Sequence, residues 1–279
     1  MQTLNEVISK YPYILKVMEE AAIAAGNDIM EVYAKDEIDT DWKADDSPLT
    51  LADLRAHKVI SERLMHSFPD IQLISEEDDT GAEITVGDVF FLVDPLDGTK
   101  EFIKRTGEFT VNIALVIQGI TKLGVVYLPA QDTLYATTQY DGAVAIRSAS
   151  KPSDEREFHQ ISVRSMPEAG PTLVMSASHS SDETREYCAL YSPVDTLSAG
   201  SSLKVCKVAE GSADFYPRLG RTMEWDIAAS HAVLKAAGGN VVSLRDAAEI
   251  KYGKSGLDNG YFIAAASVSD VITADIDWR

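Results

Sequence analysis

The sequence predicts a mixed fold, with an α+β first half and an α/β second half, and three observations carry that expectation. Apolar residues recur at helical spacing over the first quarter of the 279 residues, and short strand-like runs crowd the middle. Towards the end, strand-like and helix-like stretches alternate, the pattern of a sheet with crossing helices. The join falls near residue 150, dividing the chain into parts at 1–150 and 151–279.

Residues 4–34 read as helix through Leu4, Val7, Ile8, Ile14, Leu15 and Met18, broken or kinked early by Pro12. The acidic stretch 35–48 reads as a mobile loop. A second helix is expected from Thr50 to Phe68, with Thr50 as N-cap and Asp53 three residues on in an imperfect capping box. Strands follow at 71–75, 89–94, 109–118, 123–128, 133–138 and 143–147, the later ones antiparallel because short turns join them. Residues 148–160 are polar. Beyond them, strands are expected at 172–177, 196–199, 213–217, 240–244 and 261–266. Helices are expected at 182–191, 202–210 and 226–237, the last stopped by Gly238-Gly239.

Charge narrows the function. With 44 Asp and Glu against 25 Lys and Arg, the net charge of -19 repels polyanions and argues against a nucleic-acid polymer as partner. A small anion meets the same repulsion unless divalent cations reverse the sign locally. Cys188 and Cys206 show no close metal or redox spacing, and Cys206 lies in an apolar-periodic segment, as expected of a buried free thiol in a reducing compartment. The opening residues carry no secretory pattern, and no apolar run reaches the roughly 20 residues that span a bilayer. The expected location is the cytoplasm, with peripheral association at the inner membrane left open.

The most informative segment is Asp94-Pro95-Leu96-Asp97-Gly98-Thr99, which ends an apolar strand. Pro95 is expected to hold a tight turn that aims both carboxylates at one point, and Gly98 lets backbone approach a ligand. Backbone N–H groups at Gly98 and Thr99 could receive a phosphate if a helix starts there. Taken alone, such a run also reads as a surface turn. Glu76 and Glu77 end another strand, and Asp226 opens a helix where it could serve only as a cap. Hard divalent cations prefer oxygen ligands of this kind, and the case rests on the three acidic positions together.

Glu76-Glu77, the Asp94–Thr99 run and Trp225-Asp226-Ile227-Ala228-Ala229 together resemble the magnesium-dependent phosphatases of the inositol monophosphatase superfamily, in that family's order and over nearly the whole chain. Lys100-Glu101-Phe102-Ile103-Lys104-Arg105 and Gly200-Ser201-Ser202-Leu203-Lys204 resemble its CysQ-type 3'(2'),5'-bisphosphate nucleotidases. The resemblance implies a layered αβαβα sandwich of the inositol monophosphatase and sugar phosphatase type, and removal of the 3'-phosphate from adenosine 3',5'-bisphosphate. The sulfated relative, 3'-phosphoadenylyl sulfate, is a possible second substrate. It implies two or three Mg2+ ions held by Glu76, Asp94, Asp97, Asp226 and the Leu96 carbonyl, with Glu77 reaching a further ion. Asp53 and Thr99 would activate water. Asp97, Gly98, Thr99, His179, Ser201, Ser202, Lys204, Arg218 and Asp226 would face the nucleotide. Lys204 and Arg218 can equally be solvated surface charges, and His231 is expected to pack. A monomer is expected, a dimer being the alternative. An inositol or sugar phosphate phosphatase and a noncatalytic nucleotide-binding module are the competing readings.

Overall fold

The computed structural model describes residues 4–35, 40–42, 48–78, 84–138, 142–176 and 181–274. Most of the acidic loop at 35–48 therefore lies outside the described residues, as does His179.

In chain order the elements are α1 (Leu4–Ser9), α2 (Tyr11–Tyr33), β1 (Thr40–Trp42), β2 (Pro48–Thr50), α3 (Leu51–Ser67), β3 (Gln72–Ser75), β4 (Val89–Asp97), α4 (Thr99–Ile103), β5 (Thr110–Ile117), β6 (Ile120–Leu128), β7 (Thr133–Thr137), β8 (Ala143–Arg147) and β9 (Glu157–Ile161). There follow β10 (Thr172–Ser176), α5 (Asp182–Ala189), β11 (Asp195–Ala199), α6 (Leu203–Ala209), β12 (Phe215–Arg218), β13 (Thr222–Met223), α7 (Glu224–Ala236), β14 (Asn240–Ser243), β15 (Asp258–Asn259) and β16 (Phe262–Ala265). The helix break falls at Lys10, so Pro12 sits in the first turn of α2, where its missing N–H costs nothing.

Strands β3 to β9 lie in sequence order in one seven-stranded sheet, antiparallel except for the β3–β4 pair. The second sheet has five strands in the order β11-β10-β12-β16-β14. Its first three strands are parallel and its last two antiparallel. Strand β4 is apolar on both faces because both are covered. Phe91 and Val93 join Ile14, Met18, Ala56 and Ile60 of α2 and α3. Phe90 and Leu92 face the other way, with Val205, Ala228 and Val233 of α6 and α7 and Phe262 and Ala264 of the second sheet. Beyond that sheet, Leu173, Phe215 and Ile263 pack with Tyr187 and Cys188 of α5. The layers thus run helix, sheet, helix, sheet, helix, as the sandwich expectation required.

The polar stretch 148–160 was not expected to pair, yet it holds most of β9. This is the edge strand, its residues 157–160 all exposed, so no apolar alternation marks it. The capping box of α3 is complete: Thr50 Oγ1 accepts the Ala52 N–H at 3.2 Å, and Asp53 Oδ2 accepts the Thr50 N–H at 2.8 Å.

Helix α7 lies close against β6 because Gly124 has no side chain. A Cβ there would press on the Ala229 carbonyl and come within 2.7 Å of Ala232 Cβ. Gly124→Ala is therefore expected to lower stability by about 1–3 kcal/mol through overpacking, measured by urea unfolding.

Candidate metal and phosphate site

The Asp94–Asp97 segment is not a tight turn. Strand β4 continues through it and stays paired with β5, Asp94 opposite Asn112 and Asp97 opposite Thr110. Three steps on one strand match two on the other, which is a β-bulge. In a regular strand, residues three apart face opposite sides. The extra residue brings both aspartates to the same side, and Pro95, lacking a ladder donor, is tolerated there.

Glu76, Asp94 and Asp226 each present an oxygen within 4.8 Å of the others. Asp94 is 1 % exposed, so its charge has little water to screen it. Burial first, then the charges of Glu76, Asp97 and Asp226, push its carboxyl well above the usual range. Asp226 is raised by burial and by Asp97 and Glu76. Asp97 stands beside this triad rather than in it. Its Oδ2 accepts the Ser202 N–H at 2.7 Å and lies 3.4 Å from Asn112 Nδ2 and 3.5 Å from Thr110 Oγ1. Burial moves its pKa up to about 6, although Lys204 pulls the other way. Three hard oxygen donors, crowded and short of compensating charge, fit a divalent cation.

Each remaining candidate has a definite place. Glu76 and Glu77 are the central residues of a turn closed by the Asp78 N–H on the Ser75 carbonyl at 3.1 Å. Thr99 Oγ1 lies 3.2 Å from Asp53 Oδ1 and 3.3 Å from the Leu96 carbonyl. Asp53 is thus both capping residue and Thr99 partner, one oxygen serving each. Gly98 precedes the short α4 with φ at 92°, and a Cβ there would run into Ser201 Oγ. Ser201 Oγ donates towards the Asp97 and Glu108 carbonyls, both at 2.9 Å, and Ser202 Oγ donates to the Asp226 carbonyl. Lys204 is buried, with its ammonium 5.6 Å from the Tyr216 ring centre, so it is not a solvated helix charge. Arg218 is half-buried; it donates from Nη2 to the Arg221 carbonyl at 3.1 Å, while its Nε is buried without a partner among the described residues.

A cavity of about 170 Å³ opens on these groups, lined among others by Asp97, Ser202, Lys204, Arg218 and Asp226. The basic run at 100–105 divides: Lys100 and Lys104 line this cavity, whereas Arg105 donates to the Tyr33 carbonyl at 2.6 Å and to the Lys35 carbonyl. His231 packs as expected, fully buried between Tyr252 and Asn240. Sequence reasoning gave no role to Thr110 and Asn112, which feed Asp97. The signal was present: they are the two polar residues, two apart, in an otherwise apolar buried strand. His57 was missed as well; its ring shares a hydrogen bond with Ser75 Oγ at 2.9 Å.

Fold and site together define a phosphatase of the metal-assisted kind, since carboxylates this crowded repel a phosphate until a cation lies between them. The chain belongs to the inositol monophosphatase family, whose sequence pattern it matches over residues 11–276. It is 45 % identical over 222 residues to the 3'(2'),5'-bisphosphate nucleotidase CysQ of Shigella flexneri, covering 78 % of this chain and 85 % of that one. It is 44 % identical over 233 residues to the enzyme of the same name from Salmonella typhimurium, covering 82 % and 89 %. The crystal structure of CysQ from Bacteroides thetaiotaomicron superposes with a TM-score of 0.79 at 36 % identity, over 92 % of this chain and 98 % of that one. Among the described residues, no helix is long and apolar enough to cross a membrane.

Crowded carboxylates oppose the metal-free fold. In the folded chain Asp97 titrates at about 6, above the 3.8 of the free side chain, so the fold binds a proton that the unfolded chain has released. Stability with chelator present therefore falls as pH rises through that window. Asp97→Asn is expected to raise metal-free stability at neutral pH by up to about 3 kcal/mol, the equivalent of a two-unit shift, with the gain vanishing below the unfolded value. The same variant is expected to lose phosphatase activity; chemical unfolding and phosphate release check the two halves.

Proposed function

We propose that this chain is a magnesium-dependent 3'(2'),5'-bisphosphate nucleotidase that removes the 3'-phosphate of adenosine 3',5'-bisphosphate, leaving AMP and phosphate. The observation that carries the reading is the pairing of two unlike subsites around one cavity. Asp97 and Asp226, the latter a member of the carboxylate triad, line it, and so do Lys204 and Arg218, which stand ready for a second phosphate. An inositol monophosphate would leave both cations without an anion. The names of the CysQ relatives support the same substrate.

Glu76, Asp94 and Asp226 would hold magnesium, with Asp97 and the Leu96 carbonyl completing the set and Glu77 reaching a further ion. Asp97 Oδ1 accepts no hydrogen bond among the described residues and is the atom left for this. Bound there, two or three ions would neutralise phosphate charge and lower the pKa of a water. Asp53 orients the Thr99 hydroxyl and accepts its proton as Thr99 takes one from that water. Lys204 contributes a point charge and Arg218 a planar fork to the second phosphate. A neighbouring cavity of about 460 Å³ shares Ser176, Tyr216 and Arg218 with the first, and its Val174, Leu219 and Pro217 walls suit a nucleoside. The sulfated nucleotide carries the same 3'-phosphate and would be a second substrate. The two buried free thiols suit a reducing interior, consistent with a cytoplasmic enzyme.

Phosphate release from adenosine 3',5'-bisphosphate, inositol 1-phosphate and fructose 1,6-bisphosphate, measured side by side, tests the assignment. The bisphosphate nucleotide is expected to lead in kcat/KM, and preference for inositol phosphate would overturn it. Thr99→Ala is expected to lower kcat by about 10²–10⁴-fold with little change in KM. Charge reversal at Lys104 should raise KM. At Arg105, which is tied to the end of α2, it should cost stability instead.

A further inference from the structure

Helix α3 brings a second side chain to the acidic centre. His57 lies four residues after Asp53, one turn further along the same helix face. Its ring meets the turn that carries Glu76 and Glu77. His57 Nδ1 and Ser75 Oγ share a hydrogen bond at 2.9 Å, and His57 Nε2 lies 3.9 Å from Asp78 Oδ1. Ser75 and Asp78 are the two ends of that turn, and they also bind each other. The Asp78 N–H donates to the Ser75 carbonyl at 3.1 Å, and the Ser75 N–H donates to Asp78 Oδ2 at 2.7 Å. Ser75 is fully buried, and its Oγ lies 3.5 Å from the Glu77 nitrogen, inside the turn. One imidazole therefore spans the base of a turn whose apex is two carboxylates.

We propose that His57 is a positioning residue that fixes the Glu76–Glu77 turn to the helix bearing Asp53, so that metal ligands and the Thr99–Asp53 pair keep one spacing. The proposal rests on the metal assignment given above. Among the described residues strand β3 has only one neighbour, β4, in the sheet, so this turn stands at the sheet's edge. Its backbone is tied to β4 by the Glu76 N–H on the Val93 carbonyl at 3.0 Å. That bond ties the turn to the sheet on one side. The imidazole ties its base to α3 on the other. Groups that orient metal ligands in this way typically change metal affinity by about 10–100-fold when removed.

The test measures metal binding apart from turnover: the rise in melting temperature with added magnesium, for wild type, His57→Ala and His57→Asn. Asparagine can keep a polar atom near the Nδ1 position and hence the Ser75 bond. The expected result is a magnesium midpoint about 10–100-fold higher for His57→Ala, partly restored in His57→Asn, with metal-free melting temperatures close to wild type. An unchanged midpoint in His57→Ala overturns the positioning role. So does a weakened midpoint that merely follows a large fall in metal-free stability and is not restored by asparagine. A wild-type chain with no magnesium-dependent rise overturns the metal assignment and this role with it.

Discussion

Like charges held together out of water are the constraint around which this molecule is arranged. Glu76, Asp94 and Asp226 come from a turn, a strand and a helix that are far apart in the chain, and each would lower its energy by moving away. What prevents this is packing. Strand β4 is buried on both faces, and α7 lies between the two sheets with Ala228, Ala229 and Val233 in the core. Helix geometry gives some of the cost back. Asp53 and Asp226 both occupy the first turn of a helix, where unpaired N–H groups favour negative charge.

Much of this was legible in the chain because burial leaves strong patterns. The run from Val89 to Val93 announces a strand covered on both sides, and the helices at α3 and α7 carry their own start signals. What escaped was set by partners that no local pattern contains. The β-bulge depends on the register with β5, so Asp-Pro-Leu-Asp could be read as a reversal when it is an extended strand with one residue too many. Strand β9 has water on its exposed residues and could not be told from a polar linker. His57 gains its place only when β3 is set beside α3, and a single histidine on a helix carries no sign of that.

Specificity is spread differently from chemistry. The acidic groups come from β4, the start of α7 and the turn after β3, whereas the cations that would read a nucleotide come from α4, α6 and β12 at the cavity wall. Lys204 is the intermediate case, buried against Tyr216 and close enough to Asp97 to favour its charged form. On the proposed role, its ammonium would be shared between holding the centre together and meeting substrate. By contrast Lys100 and Lys104 line the cavity from α4 and its C-cap. A change of preferred substrate within this architecture would begin at such wall positions.

The double employment of Asp53 and Asp226 bears on how such proteins diverge. Each carboxylate caps its own helix through Oδ2, to Thr50 at 2.8 Å and to Met223 at 2.8 Å. A cap of this kind is worth about 1 kcal/mol whether or not any reaction takes place. In a lineage that abandons catalysis, the cap would favour keeping Asp53, whereas Asp226 would keep its cap only against the crowding of its carboxylate neighbours. Neither Thr99 nor Glu76 caps a helix among the described residues, so on the proposed roles those two positions, more than Asp53, would record whether a descendant still turns over substrate.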